Sequence, residues 1–291
     1  MCLISIVHWF FIIITATASL TGISCALAQS NIESELKASS QEHMREELGV
    51  NPITSPSIAD LLKNLESFRP IPLKLIEPGS QDVSFTNRFQ TALHFGALVA
   101  DGFMLTIAER PQDVQKIGRD LIKESRALGV GDRLTKRSKS LLEYSDKGDW
   151  LGMRQELVKT QEDVEQSMME LRDEEMAHMI SLGGWLRGFQ IGATSAAEKY
   201  TPEKATILAQ LDVMDYFLDR LDTLNPRLKK TEMVSAMIAA IKKIRLVIVD
   251  TQGAVPTADQ VLKLKQFADE AEGIAVSHVN DEGRLPEKKK L

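Results

Sequence analysis

Apolar side chains recur at intervals of three and four residues from Ser84 almost to the C-terminus, and that rhythm predicts helices stacked on one another. Over residues 85–109, Phe89, Leu93, Phe95, Leu98, Val99, Phe103 and Leu105 cover most of the circumference, as expected for a helix surrounded by others. Pro111 suits the first turn of the next helix, whose Val114, Ile117, Leu121 and Leu128 form one stripe that Gly129 ends. A shorter helix is predicted over 132–144, and Asp149 is placed to cap a long one starting at Trp150.

Thr201-Pro202 opens a helix carrying Ile207, Leu211, Met214, Leu218 and Leu221, and Asn225-Pro226 closes it. Val234, Met237, Ile241, Ile244 and Ile248 repeat the period. Thr257 with Gln260 forms a capping box ahead of Leu264, Phe267, Ala271, Ile274 and His278. Val247-Ile248-Val249 is β-branched but continues a helical stripe, so no strand is predicted. The expected fold is an all-α, antiparallel bundle of seven or eight helices over 84–280.

Small residues form a second pattern. Ala92, Gly96 and Ala100 are four apart, as are Gly184, Gly188, Gly192 and Ala196. A glycine inside a helix costs about 1 kcal/mol against alanine, so such ridges imply a compensating close contact. The two helices are expected to cross face to face at the centre of the domain. Arg187 and Gln190 interrupt the second run and argue against a membrane span. The chain after Ser84 also reads as two similar halves, each passing from a small-residue helix through Pro111 or Pro202 to a heptad-patterned one.

The N-terminus reads differently. From Met1 to Ala28 there is no Asp, Glu, Lys or Arg, and an apolar run ends in Ala26-Leu27-Ala28 before Gln29. This small-x-small ending predicts a signal peptide over 1–28 and a periplasmic or secreted product. An uncleaved anchor over residues 3–20 and acylation of Cys25 are the alternatives. Both cysteines, Cys2 and Cys25, fall in this segment, so the processed chain would carry no thiol. Residues 29–83 are expected to be a loosely structured leader, its prolines flanking one short helix over 58–68 that buries Leu61, Leu62 and Leu65. Residues 281–291 form a basic tail.

Composition narrows the functions. A net charge of −6 with no clustered basic face argues against nucleic acid as a partner. No nucleophile elbow, phosphate loop, dinucleotide fingerprint or His-Glu-x-x-His motif occurs. Glu175 and His178 have the Glu-x-x-His spacing of helical metal sites, with His94 and Asp101, seven apart on the central helix, as further candidate ligands for a divalent metal. Arg172 lies in the same apolar arc as Glu175, and an ion pair between them is the structural alternative. The expectation is a non-catalytic binding or scaffold protein that engages an unidentified protein or small molecule through a helical groove. A metalloprotein built on Glu175 and His178, or a membrane-tethered assembly factor, would be the other readings.

Overall fold

In a computed structural model that describes residues 65–76, 85–277, 279 and 284–285, every regular element is helical. After a 3-10 turn at Glu66–Phe68 come α1 (Leu73–Ile76), α2 (Arg88–Ile107), α3 (Pro111–Ala127), α4 (Gly131–Lys147), α5 (Trp150–Glu170) and α6 (Glu174–Glu198). They are followed by α7 (Pro202–Ile207), α8 (Leu211–Asp222), α9 (Pro226–Lys229), α10 (Glu232–Val249) and α11 (Ala258–Val276). The all-α bundle is therefore real, and its long helices are α2 to α6, α8, α10 and α11. Among the described residues no helix is long and apolar enough to cross a membrane. The predicted signal segment, the leader before residue 65, His278 and the basic tail lie outside the described residues, apart from Arg284 and Leu285.

Capping residues fix several helix starts, those of α5 and α11 as the sequence implied. Asn87 Oδ1 accepts from the Phe89 amide at 2.9 Å, and Asp149 Oδ1 from the Gly152 amide at 2.9 Å. The Thr257–Gln260 capping box is complete at the start of α11. Gly148, at φ +64°, ends α4 in the left-handed conformation that glycine adopts without strain. One boundary differs. The single helix expected after Pro202 is broken into α7 and α8, because the chain turns at Leu208 and restarts at Leu211. The Gln210 side chain is turned back onto the Ile207 carbonyl there and also accepts from the Trp185 indole, which anchors the break to α6. The two halves of the chain are thus alike only in outline.

Helices α2 and α6 form the centre. Both are buried along nearly their whole length, and their mutual contact is the most extensive among the described helices. The crossing is set by glycine, though not by the whole stripe the spacing suggested. A β-carbon on Gly96 would lie 1.9 Å from the Ile180 carbonyl oxygen and 2.6 Å from the Gly184 nitrogen. One on Gly183, a residue outside the four-spaced ridge, would lie 1.9 Å from the Leu93 carbonyl oxygen. Gly188 and Gly192 do not face α2. They receive Leu65 and Phe68 from the preceding strap, with the Phe68 ring 2.7 Å from where a Gly192 β-carbon would sit. The stripe winds around α6 and serves two neighbours, since a four-residue ridge drifts around a helix of 3.6 residues per turn. No break occurs at Gly183-Gly184; α6 runs through it.

Around this pair, α3, α4 and α5 stack in chain order on one side, and α10 and α11 form a helical hairpin on the other.

Candidate functional site

The polar residues that interrupt the two central helices meet in one seam. Arg187, 9 % exposed, projects from α6 and makes four hydrogen bonds. Its Nε and Nη2 donate to the two Asp101 carboxylate oxygens at 2.7 and 3.1 Å. Its Nη2 also donates to the Leu75 carbonyl at 2.7 Å, and its Nη1 to Gln190 Oε1 at 2.6 Å. Glu272 of α11 stands 3.9 Å from Nη1. Gln190 passes the network to Asp269, which Lys265 neutralises at 2.6 Å. A guanidinium suits this place because its planar donors can serve four acceptors at once.

His94, one turn pair before Asp101 on α2, bonds through Nδ1 to Glu124 Oε1 of α3, and the Phe85 ring meets its edge at 5.2 Å. Burial alone would depress the His94 imidazolium, but the hydrogen bond and charge of Glu124, with Glu272 and Asp101 behind it, raise its pKa above the ordinary value. Burial raises Asp101 and Glu272 despite Arg187, and Glu124 despite His94. Among the described residues Glu124 Oε2 has no hydrogen-bond partner. The seam therefore holds its protons more tightly than isolated side chains would.

Glu175 and His178 are elsewhere. Glu175 sits in the first turn of α6, where its Oε1 accepts from the Asn225 amide at 2.7 Å. Arg172, with φ +55°, belongs to the exposed turn before α6 and does not pair with Glu175, which corrects the expected ion pair. Both residues were assigned to one helical arc, but the helix begins only at Glu174. His178 is buried against Tyr216 of α8, whose hydroxyl lies 3.2 Å from Nδ1. Burial, helped by the Arg220 charge, lowers its pKa to about 4. Of the four candidate ligands, His94 and Asp101 share the seam, while Glu175 and His178 have separate partners. Among the described residues no group of three or more His, Cys, Asp or Glu side chains is placed to hold a metal ion.

Sequence reasoning passed over two further places. Ser195 Oγ, in the last turn of α6, donates to the Phe68 carbonyl and receives Lys204 Nζ at 2.8 Å, which pins the strap of residues 65–76 to α6. Their separation of nine residues, across a helix end, carries no periodic signal. On the outer surface, Val114, Gln115, Gly118, Arg119 and Ile122 of α3 and Leu141 and Leu142 of α4 line an open groove of about 70 Å³. Leu142 is 45 % exposed, and a β-carbon on Gly118 would meet nothing within 4 Å. The missing side chain at Gly118 is what leaves the groove open. Its sequence signal was a glycine inside a strongly amphipathic helix, where it otherwise only weakens the helix.

No family model, curated protein or solved structure matches this chain.

Proposed function

We propose that this chain is an exported cell-envelope protein that acts without catalysis, by binding a protein partner through the groove between α3 and α4. The observation that carries the reading is the pairing of an exposed leucine, Leu142, with a glycine-floored apolar groove. Such a groove offers a partner's side chain a desolvated seat, and buried apolar anchors of this kind supply most of the free energy of association. The buried seam supports a scaffold role. Its charged groups are engaged with one another across α2, α3, α6 and α11, an arrangement that locks helix register. Export rests on the uncharged apolar N-terminus and its Ala26-Leu27-Ala28 ending.

The test is photo-crosslinking in the cells that make the protein, with a benzophenone amino acid replacing Leu142. A discrete adduct that disappears when Gly118→Met fills the groove is the expected result. Its absence retires the binding site. Intact mass of the protein from the envelope fraction reads the export step: loss of the first 28 residues fits a cleaved signal, and their retention would replace it with a membrane tether.

A further inference from the structure

The α3 side of the groove carries a charged rim whose sign opposes that of the chain as a whole. Arg119, Lys123 and Arg126 follow one another along α3 at spacings of four and three, all exposed, and Arg119 itself lines the groove. The acidic residues of α3 do little to balance the two arginines. Asp113 is held by Arg110 at 2.9 Å, Glu124 is buried on His94, and Asp120 is half-buried. Arg119 and Arg126 form no ion pair with a described residue. A chain with a net charge of −6 thus presents a basic stripe beside its apolar groove.

Resting on the binding role above, we infer that the groove receives an acidic amphipathic helix of a partner protein. One branched or aromatic side chain fills the space over Gly118 between Ile122 and Leu142, and one carboxylate beside it meets Arg119 while a second, two turns further along, meets Arg126. The two arginines are seven residues apart, about 10 Å along α3, which matches carboxylates two turns apart on a helix lying alongside. The apolar anchor supplies affinity, and the rim charges supply orientation and rate of encounter. Nucleic acid and anionic lipid would meet the stripe but have no use for a seat sized for one side chain.

Two synthetic helical peptides test this against the full chain as isolated from the cell, read by fluorescence anisotropy. Both carry a central leucine; one has flanking glutamates and the other lysines at the same positions. The acidic peptide is expected to bind at least about tenfold more tightly. Gly118→Met is expected to weaken it by a similar factor, and Arg119→Gln to weaken it less while flattening its salt dependence. Leu142→Asp repeats the groove test at an exposed position should Gly118→Met fold poorly. Equal binding of the two peptides, or acidic binding indifferent to both groove variants, overturns the inference. So does a self-associated chain that Gly118→Met converts to monomer in sedimentation, because the occupant would then be a second copy. An adduct at Leu142 in cells with neither peptide bound removes this inference and leaves the binding role standing. Peptide binding with no adduct removes the binding role and, with it, the inference that rests on it.

Discussion

The carbonyl oxygen of Leu93 lies 1.9 Å from where Gly183 would carry a β-carbon, so the two central helices touch backbone to backbone at that point. Real β-carbons do not approach an oxygen so closely, and neither neighbour is a flexible side chain that could yield. The whole bundle is assembled around this contact.

Three glycine-to-alanine substitutions should therefore separate cleanly in chemical denaturation. Gly183→Ala forces α2 and α6 apart and is expected to cost about 3 kcal/mol or more. Gly188→Ala meets only Leu65 side-chain atoms at 3.5 Å or beyond, an ordinary contact, and should be near neutral. Gly118→Ala, in open space, should stabilise by up to about 1 kcal/mol through helix propensity alone.

Removing the Arg187 cation leaves Asp101 and Glu272 buried together without their counter-charge. Arg187→Met is expected to cost on the order of 3–5 kcal/mol at pH 7. The loss should shrink toward pH 5, because burial already raises both carboxyls and they can neutralise by taking protons. A loss independent of pH, measured by urea titration, would show that packing and not charge dominates.

The pKa values of the buried His178 and the half-buried His94 should be displaced in opposite directions. His178, held neutral by burial, is expected near pH 4, and His94 above 6.5, in NMR spectra of carbon-labelled histidine. Glu124→Gln should lower the His94 value. The consequences for stability are opposite in sign. The His178 contribution, at most about 3 kcal/mol, is complete above pH 6.5 and is lost as pH falls toward 4. The His94 contribution is complete below 6.5 and is lost as pH rises through its elevated value.

Ser195→Ala leaves the Phe68 carbonyl and the Lys204 ammonium each short of a buried partner. The expected cost is about 1–3 kcal/mol. Hydrogen exchange should locate the effect in the strap of residues 65–76, with the amides of α2 and α10 unchanged. Uniform loss of protection would instead make Ser195 part of the global core.

Arg187 shows where sequence reading stops. Its place in a glycine-rich apolar helix marked it as anomalous, and the anomaly was read as evidence against a membrane span. Three of its four acceptor atoms, however, lie 86 and 112 residues away in the chain, on Asp101 and Leu75. Periodicity reports which face of a helix is buried and is silent about what that face meets. Glu175 illustrates a subtler failure: the wheel placed it correctly on an arc, but a helix start at Glu174 removed Arg172 from that arc and gave Glu175 a backbone amide instead.

The sequence by itself determined that the body is helical, where several helices begin, part of the core and that two small-residue helices would be central. These features are local, set by caps, by the three-and-four rhythm and by the propensity cost of glycine. Tertiary structure alone decided that Gly183 and not Gly188 makes the crossing, that His94 meets Glu124 while His178 meets Tyr216, and that Gly118 opens a groove. Each of those outcomes depends on how two distant helices are rotated about their axes, and a few tens of degrees of rotation exchange one partner for another.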